Sequence, residues 1–492
     1  MKLFDKTKTV VSKEKTTEGF YFGAPEAESE VNINGHLLSD VFLDLFDIND
    51  KISNGKYVIT GRKGSGKSAV AQYYKQLSET EDDIFAYIIT PNDISLNRVL
   101  QGLPNVKSEL IFRWVILTKL IGLIINSNRT DYAKHISNLK KFHDRNMGSF
   151  DLSQYDISEM STKTEIGFDL FRSKFSNIIS KHIKDKRLIK MQFYEFIPVL
   201  EEILREVLKY QVYEDDTFII AFDELDIDFK SKNSDDIMRL VRVVRGYNNN
   251  IFNGTPLKII LFLRDDIKNC ISASDKTKIF SSCEYCINWY IHDDFERDEK
   301  DVKLRQFINK RISANFTKRG IKFDSNDPWS TLFANSDRCY TKSAFSYILD
   351  YTFYRPRDFI NLLQPLGDLK LKYPLRRADV INLINKLAVV TYEDIKDELL
   401  IHFNSDEISN IGYILKEVVS RDRISYSDLC ELFKKYGIHE SNINIFMDYS
   451  LIVPNKKNIY YHTYREKKLD EPIENYLFST HKAITPYFKN LK

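Results

Sequence analysis

The chain has 492 residues, 43% hydrophobic and 29% charged, a composition that excludes an intrinsically disordered protein and leaves room for a large buried core. At about 150 residues per domain, the length suggests about three domains. Its 72 Lys and Arg against 70 Asp and Glu give a formal charge of +2, so bulk charge favours no partner class and any nucleic-acid contact must come from a local patch. The cysteines, Cys270, Cys283, Cys286, Cys339 and Cys430, are odd in number and scattered, which points to a reducing cytosol without a disulfide framework.

Residues 1–19 are polar and expected to be poorly ordered, with no apolar segment of the signal-peptide kind. The sequence FYFGAPEAESE follows at 20–30, then a helix-like pattern at 37–46. An apolar strand at 56–60 leads into GRKGSGKS at 61–68, and a helical pattern runs from 69 to 77. A second strand is expected at 83–90 and a strongly apolar helix at 107–126. The most apolar part, 110–125, is shorter than the roughly 20 residues of a membrane span and is interrupted by Arg113 and Lys119. A buried helix, a cytoplasmic location and no membrane partner are therefore expected.

Residues 129–190 carry 13 Lys or Arg against 8 Asp or Glu and read as a mostly helical, locally basic insertion. Its charge fits a solvated surface or a contact with nucleic acid or a protein partner. An amphipathic helix is expected at 193–208, an apolar strand at 217–222 and a helix at 233–247. Strands at 257–263 and 284–291 complete a five-strand set. Continuous apolar strands separated by helices indicate a parallel sheet covered on both faces. Helices alone are expected at 296–400. Three helices and a hairpin at 408–466 make a winged-helix pattern. Cys283-x-x-Cys286 has no second ligand pair nearby and reads as packing, and the nine histidines show no metal-ligand spacing.

GRKGSGKS fits the phosphate-loop pattern G-x-x-x-x-G-K-[ST] at every fixed position and has the strand and helix that pattern requires. Glycines let the loop turn so that backbone N–H groups cradle phosphates, at the positive end of the following helix. Gly61, Arg62, Lys63, Gly64, Ser65, Gly66, Lys67, Ser68 and Ala69 are the expected nucleotide-binding residues. Lys67 would reach the β- and γ-phosphates, and Ser68 would hold Mg²⁺. The strand TFIIAF ends at Asp223-Glu224, where a carboxylate sits beside a phosphate loop in open α/β sheets. Asp223 would join the Mg²⁺ shell, and Glu224 would orient and deprotonate the attacking water. Asp226 and Asp228 extend the acidic run with structural or supporting roles.

The strand at 257–263 is expected between the phosphate-loop strand and the Asp223 strand, ending in Arg264-Asp265-Asp266. Arg264 either senses the γ-phosphate, pairs with Glu224 in the resting state, or forms a plain salt bridge to Asp265 or Asp266. In Tyr354-Arg355-Pro356-Arg357-Asp358, two arginines flank a proline that opens a helix. Arg355 or Arg357 either closes over the nucleotide or makes a helix-start salt bridge.

These motifs, in this order, resemble the AAA+ and STAND group of P-loop ATPases, most of all bacterial members with an origin-recognition-type layout. The resemblance covers residues 20–466. It implies an α/β P-loop NTPase three-layer sandwich with a parallel sheet at 20–295 carrying a helical insertion at 129–192. An α-helical lid at 296–400, a winged helix at 401–470 and a tail at 471–492 would follow. Phe22-Gly23 with Glu26 and Glu28 is similar to the segment that packs near the adenine in that group, and NIYYHTYRE resembles the strand that closes its winged helix. ATP and Mg²⁺ are the cofactors implied. Members are often ATP-driven switches, and several bacterial branches serve in phage defence. Arg264 stands where many members carry a smaller polar residue, and Arg297, Arg305 and Arg311 are the candidates for an arginine finger between copies of the chain.

An ATP-hydrolysing switch or motor with a protein partner or effector is the first functional expectation. A DNA-binding initiator or loader is the alternative, although the third helix of the winged-helix pattern, 440–448, has two asparagines and no basic residue. A non-hydrolysing ATP-binding scaffold is the third. Homo-oligomer formation is left open, and no LSGGQ-like signature lies between 68 and 223 to suggest an ABC-type enzyme.

Overall fold

The computed structural model describes residues 15–30, 38–94, 106–129, 139–140, 143, 164–166, 189–191, 194, 197–225, 234–290, 298–334, 342–465 and 469–490. They fall into two compact units, Glu26–Asn288 and Met1–Pro25 with Trp289–Lys492.

In the first unit, five parallel strands form one sheet: β1 (Val58–Gly61), β2 (Ile84–Ile89), β3 (Thr217–Phe222), β4 (Leu257–Arg264) and β5 (Glu284–Ile287). Their spatial order is β2-β3-β4-β1-β5, so β4 separates β1 from β3 as expected. The register places Gly61 opposite Arg264 on one side and Ile287 on the other. The backbone N–H of Asp223 continues the ladder beyond β3 onto the Ile89 carbonyl at 3.1 Å. The carboxyl ends of β1, β3 and β4 therefore open onto one edge of the sheet.

Alternation along the strands turns Val58, Phe218, Ile220, Ile259 and Leu261 to one face, where they share a core with three helices. These are α1 (Ser108–Asn126), α2 (Ile197–Val207) and α3 (Ser234–Gly246). The helix after the phosphate loop, Lys67–Thr80, lies on the other face, where its Tyr74 and Leu77 line a cavity with Ile219 and Ile260. Helices thus cover both faces of a parallel sheet, as the apolar strands predict, in the three-layer P-loop sandwich that the resemblance implies.

The two charges that interrupt the apolar helix are paired inside this unit. Arg113 grips Glu201 with two N–H groups, at 2.9 Å to Oε1 and 2.8 Å to Oε2, and the Tyr247 hydroxyl adds a 2.6 Å bond to the same carboxylate. Lys119 meets Asp93 at 2.9 Å. Among the described residues no helix is long and apolar enough to cross a membrane.

The expected mostly helical insertion is described only in small part. Its described part includes an antiparallel strand pair, Thr164–Ile166 with Ile189–Met191, and most of 129–192 lies outside the described residues. Asp226, Asp228, Arg297 and Cys339 also lie outside them, as do residues 1–14.

The second unit begins with helices α4 (Lys303–Lys318), α5 (Pro356–Leu363) and the long α6 (Arg377–Leu399). A capping box of Asn404 and Glu407 then opens α7 (Ser405–Arg421). Two helices follow, α8 (Tyr426–Lys435) and α9 (Ile443–Asp448), the latter preceded by a 3₁₀ turn at Glu440–Asn442. An antiparallel sheet, ordered β8-β7-β9-β6, joins β6 (Ile424–Ser425), β7 (Ile452–Lys456), β8 (Ile459–Tyr460) and β9 (Leu477–Thr480).

Two segments expected to be peripheral are built into this unit. Beyond residue 470, β9 pairs with both β7 and β6, and the terminal helix Thr485–Asn490 sets Tyr487 and Phe488 against Tyr392 at ring distances of 4.6 and 4.9 Å. At the other end, Thr17 donates from its backbone to the Leu371 carbonyl at 2.9 Å and from its hydroxyl to the Leu366 carbonyl at 2.6 Å. Gly19 adds a 2.8 Å bond to the Gly367 carbonyl. Gly367 is required there, because a Cβ would meet the Phe20 carbonyl oxygen at 2.5 Å.

Candidate nucleotide site

The loop from Gly61 to Ser68 joins a fully buried strand to the helix Lys67–Thr80, and its conformation depends on glycine. Gly64 and Gly66 have φ of 79° and 95°, the left-handed region that side chains disfavour. A Cβ on Gly61 would meet Ser65 Oγ at 2.7 Å and the Ile287 carbonyl oxygen at 3.1 Å. Lys67, only 8% exposed, folds back over the loop and donates to the carbonyls of Gly61 at 2.8 Å and Arg62 at 3.0 Å. Those partners are neutral, so a phosphate oxygen in the loop offers the ammonium a stronger, charge-assisted bond.

Asp223, at the end of β3, is 4% exposed. Burial is the main influence on its carboxyl, which is pushed up to about 6. The Ser68 hydroxyl, the Glu224 backbone N–H and the Lys67 charge favour the ionised form, while the Glu28 charge opposes it. The structure thus brings together Ser68, Asp223 and Lys67, three residues drawn from sequence positions 155 apart. Asp223 Oδ2 has no hydrogen-bond partner among the described residues. A buried, unpartnered carboxylate oxygen beside a hydroxyl fits the all-oxygen ligand set of Mg²⁺. Ser68 and Asp223 are the residues that would hold such an ion.

Glu224 follows with φ of 57°, a left-handed backbone on a residue with a side chain. Such strain persists where the surrounding structure imposes it, often at functional positions. Here it follows directly on the buried Asp223, at the open edge of the sheet.

Arg264, at the end of β4, forms a salt bridge to one of its neighbours in the chain. Its guanidinium, 8% exposed, pairs with Asp266, with Nε 3.0 Å from Oδ1. Asp265 is the carboxylate of this strand end that feels the loop. Burial raises its carboxyl, and the charges of Lys67 and Lys268 oppose that rise. Next to it the Thr60 hydroxyl donates to Glu284 at 2.6 Å, and Lys268 pairs with the same carboxylate. The sequence treated Asp265 only as a salt-bridge partner for Arg264. Its adjacency to a strand ending at the phosphate loop was the available signal.

Phe22, Arg355 and Arg357 belong to the second unit. Phe22 is buried there, its carbonyl accepting from Arg311 at 2.9 Å, and its neighbour Phe20 packs edge-on against Phe316. Arg355 makes the helix-start ion pair. Its Nε and Nη2 donate to Asp358 Oδ1 at 3.0 and 2.8 Å, with Glu398 at 3.7 Å, and both Arg355 and Asp358 are buried. Arg357 donates to the Pro25 carbonyl at 3.2 Å and pairs with no carboxylate among the described residues. Two arginine-finger candidates are internal to this unit. Arg305 is buried against Asp327 at 2.8 Å and the Trp329 ring, and Arg311 is buried against Phe22. No group of His, Cys, Asp and Glu among the described residues forms a metal cluster of its own.

Residues 302–369, well short of half the chain, match the family described as the FunZ-associated C-terminal helical domain. No curated protein matches the chain. Among solved structures, it is similar to the crystal structure of Cdc6p from Pyrobaculum aerophilum, at 12% sequence identity and a TM-score of 0.29, over 92% of this chain and 97% of that one.

Proposed function

We propose that the chain binds Mg²⁺–ATP at residues 61–69 and hydrolyses it as a P-loop ATPase of the AAA+/STAND-like kind, acting as a molecular switch. The observation that carries this reading is the meeting of Ser68 and Lys67 with the buried Asp223, whose Oδ2 has no hydrogen-bond partner among the described residues. The strand order, with β4 between β1 and β3, supports it.

The loop amides and Lys67 hold the phosphates, and Lys67 exchanges its two carbonyl partners for phosphate oxygens. Ser68 and Asp223 hold the cation, which when bound neutralises charge on the phosphoryl oxygens. Glu224 orients the attacking water and accepts its proton. Phosphoryl transfer of this kind needs positioning and charge neutralisation rather than covalent chemistry, and these residues supply both.

A protein partner fits the C-terminal region better than duplex DNA. Helix α9 reads INIFMD and offers no Lys or Arg for a groove. Equilibrium binding of a fluorescent ATP analogue in Mg²⁺ tests the site: wild type and Glu224→Gln bind, and Lys67→Ala does not. Binding retained by Lys67→Ala would remove the loop from the account. Turnover stimulated by a random duplex in a salt-dependent way would restore the DNA reading.

A further inference from the structure

The short turn Ala27–Glu30 (AESE) sits against the helix Lys67–Thr80 within the first unit. Its exposed Glu28 accepts a hydrogen bond from Gln72 Nε2 at 3.2 Å. Gln72 is nearly buried, so its amide is fixed in direction. It also lies four residues after Ser68, which puts the two side chains on one face of the helix with Cβ atoms about 5–6 Å apart. Ser68 faces Asp223, and Gln72 faces Glu28. Two carboxylates therefore meet consecutive turns of the same helical strip, close enough for the Glu28 charge to act on Asp223.

Neither carboxylate is neutralised by a dedicated salt bridge. Glu28 pairs with no Lys or Arg among the described residues, and Gln72 supplies a neutral amide. Asp223 is 4% exposed and its Oδ2 has no hydrogen-bond partner. A buried acceptor with a second negative charge beside it is the arrangement that a hard divalent cation satisfies and a nucleotide base does not. The family resemblance places this entry segment near the adenine, yet Phe22, its aromatic member, is buried in the second unit.

We propose that Glu28, positioned by Gln72, serves the divalent-cation side of the site, adding its charge to that of Asp223. This rests on reading residues 61–68 and Asp223 as an Mg²⁺–ATP site. The exposed Glu28 carboxylate is open to solvent, so it draws the cation in while Asp223 and Ser68 supply the buried contacts.

The test is a Mn²⁺ titration of the full chain with saturating ATP, read by loss of the free Mn²⁺ electron paramagnetic resonance signal, alongside ATP binding in EDTA. Glu28→Gln keeps the shape of the side chain and is expected to raise the Mn²⁺ dissociation constant about tenfold, the scale of supporting-residue changes at metal sites. Gln72→Leu moves it the same way by less, and neither changes ATP binding in EDTA. A wild-type Mn²⁺ affinity in a folded Glu28→Gln protein overturns the proposal. So does an equal loss of ATP affinity in EDTA, which would put Glu28 on the nucleotide itself. Asp223→Asn separates the two levels of the argument: if it binds Mn²⁺ as wild type does, the underlying site reading fails, whatever Glu28 does.

Discussion

Two buried cations, Lys67 in the phosphate loop and Arg355 at the start of α5, differ in what holds them. Lys67 donates to two backbone carbonyls of its own loop, and Arg355 to the carboxylate of Asp358, with Glu398 close by. Exchanging a neutral carbonyl for a phosphate oxygen strengthens the bond of Lys67. Releasing Arg355 would leave Asp358 charged and buried, at a cost of about 3–5 kcal/mol. Burial alone thus does not mark a binding group. The chemistry of the resting partner separates a cation ready to change partners from one that fastens a helix.

The largest expected effect follows from the first cation. Lys67→Ala should weaken Mg²⁺–ATP binding by at least about 100-fold, roughly 2.7 kcal/mol, while urea unfolding of the nucleotide-free protein changes little. Arg355→Ala should do the reverse, lowering unfolding stability by about 3–5 kcal/mol with ATP affinity of the folded protein intact. An Arg355→Ala protein of wild-type stability that no longer binds ATP would erase the contrast and return Arg355 to the nucleotide.

Asp223 sharpens the comparison through pH. Its carboxyl is raised to about 6 in the folded protein, so the folded state holds a proton that the unfolded chain has lost. The stabilisation is complete below about pH 4 and is lost as pH rises through about 6, amounting to about 3 kcal/mol. Urea melts of the nucleotide-free protein at pH 4 to 7 should show Asp223→Asn gaining on wild type over that window. A constant difference would mean that the carboxyl titrates normally. The smallest effect belongs to Arg357→Ala, which should leave urea-unfolding stability unchanged, since Arg357 pairs with no carboxylate among the described residues.

The phosphate loop was legible because each of its requirements leaves a fixed letter: glycines where φ is positive, a lysine that folds back, a hydroxyl beside the strand-end acid. The centre of the sheet was legible because β1, β3 and β4 are buried almost throughout and read as apolar runs. The N-terminal strap was not. Thr17 and Leu366 are held by hydrogen bonds across 349 residues, and backbone pairing between distant segments has no periodic signature. The strand Leu477–Thr480 was missed for a similar reason, four residues with alternate burial being too short to declare a period. Arg264 and Arg355 were left with more than one reading because an arginine next to an aspartate suits either a ligand or a salt bridge. Only the partner distances, 3.0 Å to Asp266 and 2.8 Å to Asp358, decide which bond the side chain makes. The pairing of Gln72 with Glu28 lay outside any motif, since it joins a helix to a turn 44 residues earlier.

The central claim, that this edge of the sheet hydrolyses ATP with Glu224 as the base, is tested most directly by ATP turnover of the purified chain and its Glu224→Gln variant, both saturated with Mg²⁺–ATP. The account predicts that wild type turns over and that the variant binds ATP as tightly but is slower by about 10²–10⁴-fold. Equal turnover in the two proteins would contradict it.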